Sequence, residues 1–150
     1  MRVYKRNKIS FEEKEIIIDR LKDFFVKEKS ILFAYLYGSF AVGLEFNDID
    51  IAIYFDEKLF ANKSETFNFC LSLASEIEHI LGDYRHEIDL HSLNLAPLSF
   101  RFAVITEGKL LSTNNDDARV DFEVRTRDLY FDFQPHLEYY YRTLVLKENI

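Results

Sequence analysis

Tyr37-Gly38-Ser39-Phe40-Ala41-Val42-Gly43, followed by Asn47-Asp48-Ile49-Asp50-Ile51-Ala52-Ile53, is the stretch on which the reading of this chain turns. Ile31 to Tyr37 (ILFAYLY), which leads into it, is short, nearly all apolar and suited to a buried strand. Gly38 ends that strand and lets the backbone turn closely around a ligand. Ser39 adds a hydroxyl and an amide at the start of a helical turn, where backbone N–H groups point at anions. Ile49 to Phe55 then alternates as a second strand, with Ile49, Ile51, Ile53 and Phe55 on one side. Asp48 and Asp50, two apart, project from the other side, and both are costly to leave unpaired. Two carboxylates facing a phosphate cradle suit Mg²⁺, which takes oxygen ligands together with the phosphates of a substrate. Taken singly, Gly38-Ser39 also reads as an ordinary tight turn, and the two acids as the solvated side of an edge strand.

Outward from this stretch, strands and helices mix. Ser10 and Glu13 make a capping-box pattern, so a helix starts there with Ile17, Leu21, Phe24 and Phe25 inward and Glu12, Lys14, Asp19 and Lys22 solvated. Ser64 to Leu81 keeps a helical spacing through Phe67, Cys70, Leu71, Ala74, Ile77 and Leu81, and Gly82 stands where a helix stops. Glu87 to Leu93 reads as a third strand, with Glu87, Asp89 and His91 on one face. If it lies beside the second strand, Asp89 becomes a third carboxylate of the same cluster, able to take part in metal-assisted attack on phosphorus. His86 and His91 have opposite parity on that strand, which argues against a shared transition-metal site. A helix from Pro97 to about Thr106 is closed by Gly108, and Lys109 to Ser112 makes a short edge strand. Ala118, Phe122, Arg125, Leu129 and Phe133 then track one helix face. Pro135 is expected to end that helix or to open another, with Leu137, Tyr140, Tyr141 and Leu144 continuing the apolar stripe. The Tyr139-Tyr140-Tyr141 run either closes the core or offers aromatic anchors to a partner. The expected class is α/β (α+β): a small mixed β-sheet flanked by helices, with a C-terminal helical extension. The expected domain plan is one domain over 1–150, with its core at about 31–112 and C-terminal helices at about 117–147.

Composition narrows the function. With 150 residues, one domain is expected to bury roughly 68–70% of its unfolded surface. Nineteen Lys and Arg against 26 Asp and Glu leave a net charge of −7, which argues against direct nucleic-acid binding. Arg2, Lys5, Arg6 and Lys8 read as a solvated start. A single cysteine, Cys70, excludes an internal disulfide and a cysteine-based zinc site; it reads as a small core residue. No apolar run approaches the ~18 residues of a membrane span, and no signal-peptide stretch follows the basic N-terminus, so a cytoplasmic protein without membrane contact is expected.

Gly38-Ser39 followed by Asp48-x-Asp50 resembles the signature of the polymerase-β-type nucleotidyltransferases, and the small size resembles their minimal branch, the MNT proteins. The resemblance spans about residues 31–135. It includes Leu93-Asn94-Leu95-Ala96-Pro97 through Phe102, Glu107-Gly108-Lys109-Leu110-Leu111 and Tyr130-Phe131-Asp132-Phe133-Gln134-Pro135, which resemble the MNT antitoxins that partner HEPN ribonuclease toxins. The resemblance implies a nucleotidyltransferase fold with Gly38 and Ser39 on the nucleotide phosphates. It implies Asp48 and Asp50 on Mg²⁺ with ATP, and Asp89 as the third metal-binding and catalytic carboxylate. The implied reaction is transfer of AMP from Mg·ATP to a tyrosine hydroxyl of a HEPN-domain toxin, which silences the toxin. It leaves open a homo-oligomer or a hetero-oligomer with the toxin. Two departures accompany it: a shortened loop between Ser39 and Asp48, and Val42 where many relatives carry a basic residue. These favour, as alternative, a catalytically weak antitoxin that neutralises by binding alone. A small-molecule adenylyltransferase is the other alternative, although it usually needs an added domain.

Overall fold

The computed structural model describes residues 6–60 and 62–148, the last two by backbone alone. The chain runs β1 (Asn7–Lys8), α1 (Phe11–Lys27), β2 (Ile31–Tyr37), α2 (Gly38–Val42), β3 (Glu45–Phe46) and β4 (Ile49–Phe55). It continues with α3 (Lys63–Leu81), β5 (Ile88–Ser92), α4 (Leu98–Glu107), β6 (Lys109–Thr113) and α5 (Asp116–Glu148). Single 3₁₀ turns lie at Glu57–Leu59 and Gly82–Tyr84. Four strands form a mixed sheet in the order β5-β4-β2-β6. β2 is antiparallel to both β4 and β6, whereas β4 and β5 are parallel. A parallel pair needs a crossover longer than a hairpin, and α3 supplies it.

The local signals behave as the residues require. Ser10 Oγ accepts from the Glu13 amide at 3.1 Å and starts α1. Asn62 does the same for α3 through the Glu65 amide at 2.9 Å, and Gly82 ends it at a positive φ of 58°. Both sheet faces are covered, which explains why β2 alternates so little. Ile49, Ile51, Ile53, Ile88 and Leu90 pack with α1 and α3 on one side. Phe33, Tyr35 and Ala52 pack with Val104 and Ile105 of α4 and Phe122 of α5 on the other. Cys70 is buried and unpaired, as a core residue should be.

Several expectations need correction. Pro135 neither ends nor begins a helix, because α5 runs through it without a break. Pro135 gives up one backbone bond there, and on a helix exposed all round, water can satisfy the carbonyl it leaves. The face of α5 that meets the body is Ala118, Phe122, Thr126 and Tyr130, with Tyr130 stacked on Phe102 at 3.7 Å. Leu129 and Phe133, expected inside, are exposed, as are Tyr139, Tyr140, Tyr141 and Leu144, so the tyrosine run does not close the core. On α3, Phe67 and Leu71 are 63% and 54% exposed, and Thr66 and Leu73 take the inner positions instead. Strand β5 starts at Ile88 rather than Glu87, and the pair β1–β3, two residues long on each side, was not anticipated. Strands so short carry no period to read. Lys14 is not simply solvated: its Nζ donates to the Gly43 carbonyl at 2.7 Å and lies over the Phe40 ring, tying α1 to the end of α2. Arg6 faces Glu45 at 3.9 Å, and Arg2 and Lys5 lie outside the described residues.

Candidate active site

Three side chains meet on the α4–α5 face of the sheet. Asp50 on β4 stands opposite Asp89 on β5 in the parallel register, and Asp48 comes from the residue pair that leads into β4. One carboxylate oxygen from each of Asp48, Asp50 and Asp89 lies within 4.8 Å of the others, and all three residues are partly buried. The condition attached to Asp89, that its strand neighbour the second one, is met. The register explains it: the isoleucines at 49, 51 and 53 face α1 and α3, so the intervening Asp50 must face the other way.

Gly38 is part of the same construction. It opens α2 at φ 73°, in the left-handed region that favours glycine. A Cβ built there would collide with the Asp50 carboxylate, so the acid rests directly against the glycine backbone. Ser39 follows in the first turn of α2, and its carbonyl accepts from the Gly43 amide at 3.1 Å. Gly38 is thus in contact with the acid cluster, and Ser39 is the next residue along the chain. Val42 ends α2 fully in solvent, 76% exposed, so no cation stands at that position.

The electrostatics record the crowding. Burial, then the charges of Asp48 and Asp89, push the Asp50 carboxyl from 3.8 up to about 7. No lysine or arginine pairs with the three acids among the described residues; the neighbouring side chain is His91, whose Nε2 is 2.9 Å from Asp89 Oδ1. Oxygen donors gathered this closely without a balancing side chain fit a hard divalent cation. His86, by contrast, packs against the Phe46 ring and stays away from the cluster.

Two further neighbours, Tyr37 and Phe100, are not marked as site residues by the sequence. Tyr37 pairs with Asp50 across β2 and β4, and its ring meets Phe100 of α4 edge-on at 5.4 Å. Burial and then Asp50, Asp89 and Asp48 hold its hydroxyl well above the usual phenol range. Phe100 also touches His91, at 6.0 Å between ring centroids, so an aromatic wall bounds the acids. The parity that puts His91 on the Asp89 face is borne out by their contact. The only signal for Tyr37 is its position next to Gly38, which parity does not mark as a site.

Comparison with known proteins agrees with this geometry. The family model "Polymerase beta, Nucleotidyltransferase" matches residues 19–117. Among curated proteins, none matches the sequence. The fold is similar to a solved complex of a tri-AMPylated Shewanella oneidensis HEPN toxin with its MNT antitoxin, at 20% identity and a TM-score of 0.61, covering 88% of this chain and 98% of that one. It is equally similar to a toxin–antitoxin structure with AMP-PNP, at 24% identity, a TM-score of 0.61 and the same coverage. A MntA–HepT toxin–antitoxin structure matches at 23% identity and a TM-score of 0.57, covering 91% of this chain and 99% of that one.

Proposed function

This chain belongs to the polymerase beta nucleotidyltransferase family, and we propose that it is an antitoxin that transfers AMP from Mg·ATP to a tyrosine hydroxyl of a cognate HEPN toxin. The observation that carries the reading is the cluster of Asp48, Asp50 and Asp89 seated against the Gly38 turn. The AMPylated toxin and the AMP-PNP found in structures of the same fold support the acceptor and the nucleotide.

In this reading Gly38 and Ser39 hold the triphosphate with backbone amides and a hydroxyl. Asp48 and Asp50 would hold the Mg²⁺ that accompanies ATP, and Asp89 would complete the metal site. When bound, the cation would supply positive charge to neutralise the triphosphate and polarise its α-phosphorus. Asp89 takes the proton of the tyrosyl hydroxyl as its oxygen attacks that phosphorus. The bond from the α-phosphorus to the bridging oxygen breaks, pyrophosphate leaves, and the tyrosine carries AMP. Tyr37 and Phe100 wall the site on the sheet side. Among the described residues no helix is long and apolar enough to cross a membrane.

Asp89→Asn tests the chemistry. It keeps shape and hydrogen bonding but removes the negative charge and the basic oxygen. The variant is expected to bind Mg·ATP and the toxin while AMP transfer, read by mass spectrometry of the toxin, falls at least ~10²-fold. Cells carrying it should lose protection. A second reading, neutralisation by binding alone, is favoured by one feature: position 42, exposed in the last turn of α2, carries a valine rather than a basic side chain. Growth rescue by Asp89→Asn with no AMP on the toxin would establish that second reading.

A further inference from the structure

We propose that the outer edge of β5 is a strand-addition groove, in which an extended segment of the acceptor protein pairs with Leu90 and Ser92 and so delivers its tyrosine to Asp89. The inference rests on the transfer reading above and adds to it the surface and the mode by which the acceptor is held.

The backbone comes first. β5 is the outside strand of the sheet. On its inner side the Ile49 amide donates to the Glu87 carbonyl at 2.9 Å, and the Leu93 amide donates to the Ile53 carbonyl at 2.8 Å. Residues 87, 89, 91 and 93 therefore turn their peptide groups toward β4, and 88, 90 and 92 turn theirs outward. The outward Ile88 amide is satisfied by Glu78 Oε1 at 3.0 Å. The outward amides of Leu90 and Ser92 have no partner among the described residues. A bare edge is a template for another strand, and natural sheets guard theirs with Pro, Lys or a bulge. Ile88–Ser92 contains neither residue, and its register has no shift.

The surroundings of that edge are shaped for an extended chain. All of β5 lines one groove of about 630 Å³ between α3 and the segment leading into α4. Phe67 and Leu71, the α3 residues that the helical period would bury, form one wall; Leu95 and Phe100 form the other. The second wall is held in place. The Asn94 side chain accepts from the Phe55 amide at 3.1 Å and donates to its carbonyl at 2.7 Å, and Arg101 donates to the Asn94 carbonyl at 2.6 Å. A preformed groove does not charge the partner for ordering it.

The carboxylates decide the occupant. Asp89 and His91 form part of the groove lining, so it is continuous with the acid cluster. In an added strand alternate side chains point to opposite faces. One set meets the apolar wall of α3, and the other emerges on the face that carries Asp50 and Asp89. A tyrosine in the second set, abreast of Asp89, has its hydroxyl directed along the acid face. Main-chain pairing supplies affinity and alternate pockets supply specificity, as in other strand-addition complexes. A second copy of this chain seated there would block Asp89, which an enzyme must keep open.

The test uses the full chain and its cognate HEPN toxin, with amide hydrogen exchange read residue by residue and AMP transfer followed by mass spectrometry. Leu90 and Ser92 amides are expected to exchange at least ~10-fold more slowly in the complex. Leu71→Glu and Phe67→Glu, at exposed positions, are expected to raise KM for the toxin ~10-fold or more, the usual worth of a lost apolar anchor. Their kcat and their thermal response to Mg·ATP should stay within about twofold of the parent. Unchanged exchange at Leu90 and Ser92 together with unchanged KM in both variants overturns the groove while leaving the transfer reading intact. Protection of these amides without any AMP on the toxin overturns the transfer reading instead, and leaves the edge as a docking surface. Protection that grows with concentration of the protein alone assigns the edge to a second copy and overturns the proposal.

Discussion

Asp50 sits at the centre of the residue-scale picture because three constraints meet on one side chain. The register of β4 sends it to the α4–α5 face, the Gly38 backbone leaves it room, and Asp48 and Asp89 crowd its charge. With its carboxyl pushed up to about 7, the folded protein holds this proton more tightly than the unfolded chain, where the ordinary value is 3.8. The folded state therefore binds more protons between about pH 4 and 7, and stability falls as pH rises through that window. We expect the melting temperature of the metal-free protein to drop between about pH 4.5 and 8. In Asp50→Asn that slope should shrink, and the variant should melt above the parent at about pH 8. Equal slopes in the two proteins would show that Asp50 is not the strained group.

At the scale of elements, α5 divides into two parts with different work. Its first half is bound to the sheet: Phe122 and Thr126 are buried, and Tyr130 stacks on Phe102. Tyr35 donates to Glu123, which also pairs with Arg119 at 3.0 Å. Beyond Pro135 the helix carries Leu137, Tyr140, Tyr141 and Leu144 without burying them in the body. Apolar residues round so much of a helix call for a covering surface elsewhere. Removing residues 136–150 should leave the melting temperature of the body within about 1 °C, because none of the described residues among them belongs to either core cluster. The same truncation is expected to weaken binding to the HEPN toxin by ~10-fold or more, measured by calorimetry. Binding at full strength would release this segment from any partner role.

The whole molecule is a device for holding three acids together. The crossover through α3 brings β5 beside β4, and the two covered faces supply the burial that offsets the cost of like charges in one place. A ligand that relieves the repulsion should stabilise the fold by mass action, about 2.7 kcal/mol at a hundredfold excess over its Kd. Mg·ATP is therefore expected to raise the melting temperature by several degrees. Asp48→Ala combined with Asp50→Ala should abolish the rise while leaving the metal-free protein at least as stable as the parent. An undiminished rise in the double variant would move the nucleotide site elsewhere.

Sequence by itself determined whatever depends on neighbours along the chain. The caps at Ser10 and Gly82, the alternation of Ile49 to Phe55 and the glycine turn after Tyr37 are local, because backbone bonding and side-chain period act over a few residues. The resemblance built on Gly38-Ser39 and Asp48-x-Asp50 likewise needed only those residues in order. What the period did not reveal is which of several apolar positions lies inside. It counted Phe67 and Leu71 with the core of α3, and Leu129 and Phe133 with that of α5, since an apolar side chain reads alike on either side of a helix. It had no hold on Pro135, whose effect depends on what surrounds the freed carbonyl. Only the tertiary structure set Asp89 beside Asp50, Tyr37 and His91 around them, and the unpaired edge of β5 beside Asp89. Each of these is a pairing between residues distant in sequence, and a strand carries no record of its neighbour until the sheet has formed.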